Sequence, residues 1–189
     1  AATKQGWVYV VNRDTGEPIW PIEERPVPQS DVPGERLAPT QPFVTKPPAF
    51  ELQGVTEDDI IDFTPELRAQ GLEIARQYRM GPLFTPPSLA DAPDGTKGAF
   101  NQPGANGAAN IPGGATVDPE TGMFYVASER GHSALSLVPG PERGSNAGYV
   151  SMGPGGIRGP QGLEIFKPPY GSVVAIDLKA GDLTWRIPN

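Results

Sequence analysis

The chain has 189 residues and a formal net charge of −7, and glycine and proline, with 24 residues each, supply about a quarter of it. So many breaks exclude a helical bundle or a coiled coil, which need long uninterrupted helices. The negative charge argues against nucleic acid as the main partner, and no apolar run approaches the roughly 20 residues that span a membrane. The absence of cysteine excludes disulfides, thiolate metal sites and a cysteine nucleophile.

Short strands separated by turns dominate the predicted secondary structure. The first strand is predicted over residues 6–12, and a short return strand follows over 17–20. Two segments rich in glycine, proline and polar residues are predicted as long excursions, over 21–82 and 139–169. The pattern indicates a mainly β fold. Further strands are expected at residues 98–100, 113–118, 123–127, 172–177 and 183–186.

One helix is predicted inside the first excursion, over residues 64–80. Thr64 is a suitable N-cap and Pro65 fits the first helical position. An apolar stripe recurs at helical spacing up to Tyr78, and Gly81 followed by Pro82 is typical of a helix end. A further helical turn is predicted near residues 57–61. We expect the helix over 64–80 to pack against the rest of the fold and to carry no functional residue.

The sequence argues against several common kinds of active site. His132 is the only histidine, so a zinc hydrolase is not expected, and the Gly-x-Ser-x-Gly elbow of serine hydrolases does not occur. The glycine-rich stretches lack the Gly-Lys-Ser/Thr ending of a phosphate-binding loop. We predict that His132 is an exposed loop residue.

A repeat joins the two ends of the chain. Residues 10–20 align with 175–185 without a gap, so that Asn12 and Asp177, Gly16 and Gly181, and Trp20 and Trp185 coincide. The Asx side chain closes a turn, the glycine takes a left-handed conformation, and the tryptophan packs on a neighbouring sheet. Such units favour β-propeller blades over the alternative, two ordinary hairpins.

Residues 175–185 resemble the tryptophan-docking motif of the pyrroloquinoline quinone (PQQ) dependent dehydrogenases. The resemblance covers nearly the whole chain and is greatest to the glucose dehydrogenase branch. It implies part of an eight-bladed propeller: residues 1–189 would form three to four four-stranded antiparallel blades of one domain, with one inserted α-helix. The remaining blades are expected elsewhere in the parent chain or in another subunit. The motifs that carry the resemblance are residues 4–13, 26–30, 39–43, 84–88, 113–119 and 168–171.

The resemblance also implies site residues. Lys4 matches the family lysine that hydrogen-bonds the quinone oxygens of PQQ, so it is expected to be both catalytic and cofactor-binding. Asn110 and Ile111 fall on a segment that lines the cofactor pocket. The family has tryptophan where this chain has Ile111, which can pack but can neither stack nor donate. The family's general-base aspartate, in a His-Asp-x-Trp-Asp stretch, is missing here, and the calcium ligands are expected outside this chain.

The function implied by the resemblance is oxidation of a glucose-like sugar or an alcohol by hydride transfer to PQQ, with calcium present. Electrons would pass to a quinone or cytochrome in the periplasm. This chain alone is expected to be inactive, because the general base lies outside it. One alternative is a non-catalytic propeller segment that acts as a binding or scaffold module, which Ile111 and the missing base favour. Another is a carbohydrate-binding propeller without redox chemistry.

Overall fold

A computed structural model describes residues 1–104, 107–109 and 114–188. In that part of the chain, nine strands form three antiparallel sheets of two, three and four strands, and there is one α-helix. The expectation of a mainly β, antiparallel partial propeller with one helix is confirmed. The elements are β1 (Ile22–Pro26), β2 (Thr40–Val44), α1 (Pro65–Ala75), β3 (Ala99–Asn101), β4 (Ala115–Asp118), β5 (Met123–Glu129), β6 (Ser133–Pro139), β7 (Tyr149–Gly155), β8 (Gly171–Asp177) and β9 (Asp182–Pro188).

The largest sheet has the order β4-β5-β8-β9, with β5 and β8 paired along seven residues each. Its inner face carries Val126, Val174 and Ile176, which pack with Val8 and Phe50 in one apolar core. Its outer face leaves Val173, Trp185 and Ile187 exposed. In the described residues, this sheet reaches the four strands of a complete blade.

The repeated turns have the predicted construction. In each turn an Asx side chain accepts backbone N–H groups two or three residues later, and a glycine with positive φ follows. The first repeat lies in a hairpin held by the Val11–Pro18 bridge. The predicted strand over 6–12 is present only as isolated bridges, because this segment pairs briefly with its own neighbours. The Asx residue and the glycine of the three turns are Asn12 with Gly16, Asp118 with Gly122 and Asp177 with Gly181.

The tryptophan of the first repeat lies against the turn of the second. A Cβ placed on Gly181 would lie 2.6 Å from Cζ2 of Trp20, so only glycine leaves room for the ring. A Cβ placed on the equivalent Gly16 would have no such neighbour within 4 Å. Trp185 is partly exposed, and its ring centroid lies 6.0 Å from that of Tyr125. The two repeats are therefore in direct contact through one tryptophan.

Helix α1 begins as predicted but is shorter. The Thr64 hydroxyl accepts the Leu67 N–H at 3.2 Å, which completes the N-cap. The predicted end at residue 80 is wrong, since the helix ends at Ala75. The reason is tertiary: the Arg79 N–H donates to the Gly98 carbonyl, and the Arg79 carbonyl accepts the Phe100 N–H, both at 2.9 Å. The chain after the helix is therefore extended and hydrogen-bonded alongside β3.

Both predicted excursions contain regular structure. Strands β1 and β2 pair within the first, and β7 pairs with β6 across the second. The predicted helical turn near 57–61 is a three-residue 3₁₀ helix over Glu57–Asp59. A second apolar core, built around Ile60, Ile61 and Phe166, joins α1 to these segments. No helix among the described residues is long and apolar enough to cross a membrane.

Candidate functional site

Lys4 lies on a tight turn whose ends are fixed by hydrogen bonds. The Thr3 N–H donates to the Trp7 carbonyl at 2.9 Å, and the Gly6 N–H donates to the Thr3 carbonyl at 3.1 Å. Gly6 has a φ of 82°, a conformation that glycine adopts without strain. Trp7 is buried beneath the turn, while the Lys4 side chain is exposed. The cationic side chain therefore extends from a rigid base.

The segment 107–109 runs directly beside Lys4. The Ala108 N–H donates to the Lys4 carbonyl at 2.9 Å. A Cβ on Gly107 would lie 2.5 Å from Cβ of Lys4, and the φ of Gly107 is 76°. Space and backbone conformation both require glycine here, because any side chain would displace the lysine.

Two clefts lie on either side of Lys4. The first, of about 310 Å³, has an aromatic wall from Phe84 and Phe100 and a polar wall that includes Thr85 and Gln102. The second, of about 420 Å³, is lined by residues 1–4 together with Ala109, Gly114 and Phe124. Lys4 is common to both linings, so a ligand in either cleft would lie beside this residue.

The side-chain amide of Gln102 is buried behind the wall of the first cleft. It is 2% exposed, and both its Nε2 and its Oε1 lack a partner among the described residues. An unpaired buried amide is costly, so native structures usually satisfy it with a protein group, a water or a ligand. The buried amide therefore lies behind the surface of the cleft, and Lys4 is the charged residue of its lining.

The aromatic wall contains a strained residue. Phe84 has a φ of 70°, which is unusual for a bulky side chain. Its ring packs against those of Trp7 and Phe43, with centroid distances of 6.3 and 5.8 Å. Such conformations persist where surrounding packing determines them, and they cluster at ligand sites. The wall of the cleft is thus fixed by the same tryptophan that lies under the Lys4 turn.

Of the residues predicted to face the cofactor, Lys4 lies between these clefts. Asn110 and Ile111 lie outside the described residues, and their predicted role stays a prediction. Ala109 and Gly114, which are described on either side of that segment, both line the second cleft with Lys4.

A buried ion pair that the sequence did not reveal lies behind the Lys4 turn. Oε1 of Glu51 accepts from Nε of Arg130 at 2.9 Å, and its Oε2 accepts from the Ser128 hydroxyl at 2.7 Å. The Glu51 side chain is 1% exposed and that of Arg130 15%. No local pattern signals this contact, because its two charged partners are far apart in the chain.

The prediction that His132 is an exposed loop residue is wrong. Its side chain is 10% exposed, and its ring packs edge-on against Phe166 with a centroid distance of 4.5 Å. Burial lowers the pKa of His132, although a contact with the Ile157 carbonyl and the nearby Glu164 oppose this shift. The polar sequence around His132 hid its position because the second excursion folds over it.

The acidic turn residues have local roles. The pKa of Asp118 is lowered by its hydrogen bond from Thr121, and that of Asp177 by the Lys179 backbone N–H. Both side chains therefore serve the turns. Among the described residues, no three histidine, aspartate or glutamate side chains come together as a metal-binding group.

Comparison with known proteins extends this description. A family model described as the β-propeller domain of PQQ-dependent glucose, ethanol and alcohol dehydrogenases matches residues 1–189. The chain is 29% identical to a probable quinate dehydrogenase (quinone) of Xanthomonas campestris pv. juglandis, over 98% of the chain and 25% of the relative. It is 30% identical to the glycerol dehydrogenase large subunit of Gluconobacter oxydans (strain 621H), over 98% and 28%.

A third relative is the quinoprotein glucose dehydrogenase of Gluconobacter oxydans (strain 621H), which is 31% identical over 100% of the chain and 25% of the relative. The chain thus spans about a quarter of the length of these relatives. No solved structure gives a significant match. The identities to glucose, glycerol and quinate enzymes are too similar to single out one substrate.

Proposed function

Because the chain belongs to the β-propeller family of PQQ-dependent glucose, ethanol and alcohol dehydrogenases, we propose that it supplies part of the active site of a quinoprotein dehydrogenase. The substrate class is a hydroxyl compound, either a glucose-like sugar or an alcohol. The observation that carries the proposal is the placement of Lys4, on a turn fixed by hydrogen bonds and in the lining of two clefts.

The chemistry of the cleft residues fits PQQ, an acceptor-rich, planar quinone. Lys4 brings three N–H donors and a positive charge, which favour an oxygen that gains negative character. Phe84 and Phe100 contribute aromatic side chains to the wall of the cleft, which suits a planar ring system. When bound, PQQ would accept the hydride that leaves the carbon bearing the substrate hydroxyl, while the hydroxyl proton passes to a base. Lys4 would hold the quinone oxygens and would stabilise the negative charge that they gain.

Further propeller parts complete this site in our proposal. Residues 1–189 belong to one propeller domain, in which 21–82 and 139–169 are excursions. The exposed Trp185 packs on the turn of a following blade, as Trp20 does on Gly181, and the open Gly16 receives a tryptophan from a preceding one. This is the tryptophan-docking arrangement. Those parts also contribute the general-base aspartate and the calcium ligands.

The proposal includes an electron acceptor and a location. Reduced cofactor has to be reoxidised, and a quinone or a cytochrome serves as the acceptor. The name of the quinate enzyme, which specifies a quinone, supports the first of these. We place the protein in the periplasm, where the family resemblance suggests it works.

The direct test is substitution of Lys4 in the assembled, PQQ-loaded protein. Lys4→Ala is expected to lower kcat roughly ten- to a thousandfold, the usual effect of losing one donor to a developing oxyanion. Lys4→Arg should rescue poorly, because a planar fork does not replace a compact charge. Lys97→Ala is the control, since that lysine donates to Gln77 outside the clefts.

Steady-state kinetics at saturating PQQ, with a sugar and an alcohol series, decide the outcome. The chain by itself, given PQQ, calcium and substrate, is expected to show no turnover above a PQQ-only blank. Wild-type turnover in Lys4→Ala would contradict the proposed role of the lysine and leave a non-catalytic propeller as the better interpretation.

A further inference from the structure

We propose that Glu51, through its buried ion pair with Arg130, is the positioning residue that holds the Lys4 turn in place. The proposal rests on the proposed function of Lys4. The charged groups of the pair do not line either cleft beside Lys4, so Glu51 would act through the backbone and not by touching the ligand.

The Glu51 carboxylate accepts hydrogen bonds from three protein donors. In addition to Arg130 and Ser128, the N–H of Leu52 donates to Oε1 at 2.8 Å. The Ser128 hydroxyl also lies 2.9 Å from that of Ser172, so the carboxylate is tied to both central strands of the blade. A charge this deeply buried is held in one geometry, since leaving any of these groups unpaired is costly.

The residues next to Glu51 in the chain hold the Lys4 turn by hydrogen bonds. The Phe50 N–H donates to the Gly6 carbonyl at 2.8 Å, and Nε2 of Gln53 donates to the Gln5 carbonyl at 2.7 Å. A Cβ on Gly6 would lie 3.4 Å from the Glu51 nitrogen, so the two backbones are in close contact. Movement of residues 50–53 would therefore move the turn.

The Arg130 side of the ion pair reaches the turn through the blade. The Ala108 N–H donates to the Lys4 carbonyl, and the Glu129 N–H donates to the Ala108 carbonyl at 3.0 Å. Glu129 precedes Arg130 in the chain, and Arg130 donates to the Glu51 carboxylate. Together with the bonds from residues 50–53, these contacts form a closed ring that begins and ends at the Lys4 turn. The Glu51–Arg130 ion pair is the one charged contact in this ring.

A buried ion pair is weak evidence for stability, because the cost of removing two charges from water offsets much of their attraction. In our proposal this pair supplies a single geometry, because any displacement would leave a charge unpaired in an apolar environment. Here the geometry of the ion pair sets the distance between residues 50–53 and the end of β5. It therefore also sets the position of Lys4 relative to the four-stranded sheet.

The experiment is Glu51→Gln in the assembled protein, measured with and without Lys4→Ala. Displacement of a catalytic group by about 1 Å commonly costs up to a hundredfold in rate, so kcat should fall about ten- to a hundredfold in the wild-type background. It should fall by less than twofold in the Lys4→Ala background, because the residue through which Glu51 acts is gone. The dissociation constant of PQQ, from an absorbance titration, should rise in Glu51→Gln. Hydrogen exchange should show reduced protection of the Ala108 and Phe50 amides.

Glu57→Gln is the matched control, because Glu57 forms an equivalent pair with Arg76 on the surface and should change none of these quantities. If Glu51→Gln does not fold, the double variant Glu51→Gln/Arg130→Gln removes both charges and is measured in the same way. A proportional loss of kcat in both Lys4 backgrounds, or unchanged protection of the two amides, would overturn the positioning role. Wild-type turnover in Lys4→Ala alone would instead refute the proposed function, and the amide protection would still decide whether Glu51 holds the turn.

Discussion

The contact between Trp20 and Gly181 predicts that two equivalent glycines respond differently to the same substitution. Gly16 and Gly181 occupy the same position of the same turn, with φ of 76° and 72°. An alanine at either position has a left-handed conformation, which costs about 1–2 kcal/mol. At Gly16 nothing else changes, because no atom lies within 4 Å of the added Cβ.

At Gly181 the added methyl meets the tryptophan ring at 2.6 Å. Carbon atoms pack at about 3.5–4.0 Å, so the ring has to retreat by about 1 Å. Displacement of this kind costs about another 1–2 kcal/mol. Gly181→Ala is therefore expected to lower the free energy of unfolding by about 2–4 kcal/mol, against about 1–2 kcal/mol for Gly16→Ala.

Urea denaturation of both variants, followed by circular dichroism, measures the difference directly. The same pair in a Trp20→Ala background isolates the contact, because the two substitutions should then cost the same. Equal losses in the wild-type background would show that Trp20 does not pack on the Gly181 turn, and would refute our account of how the repeats join.

Two further predictions concern stability. Replacement of glycine by alanine usually stabilises an α-helix, but Gly71→Ala is expected to destabilise this protein by about 1–3 kcal/mol. The reason is that the new Cβ would lie 2.8 Å from Cγ2 of Ile61. A higher urea midpoint for Gly71→Ala would contradict this prediction. The Arg79 hydrogen bond lowers the pKa of Asp31, so its stabilising effect is present above the usual carboxyl pKa of about 3.9 and is lost as pH falls through the lowered folded-state value. The urea midpoints of wild type and Asp31→Asn should therefore differ at pH 7 and converge in acid, and a constant difference would contradict the sign.

The sequence by itself determined the features that short stretches of chain can build. The Asx turns at Asn12, Asp118 and Asp177 depend on hydrogen bonds to the next two or three residues. The N-cap at Thr64 is equally local. The strands beside the turns follow from β-branched and aromatic residues, and the repeated tryptophan indicated the blade. Lys4 entered the candidate site through the family resemblance of the strand that carries it.

Only the tertiary structure decided which distant segments meet. The end of α1 was set by the bonds of Arg79 to the neighbourhood of β3, which lie outside the helix sequence. The burial of His132, the partner of Trp20 and the pairing of Glu51 with Arg130 were likewise settled by contacts between segments far apart in the chain. The physical reason is range. A turn or cap is stabilised by atoms a few residues away, whereas a buried charge or an aromatic ring is stabilised by whatever the folded chain brings to it.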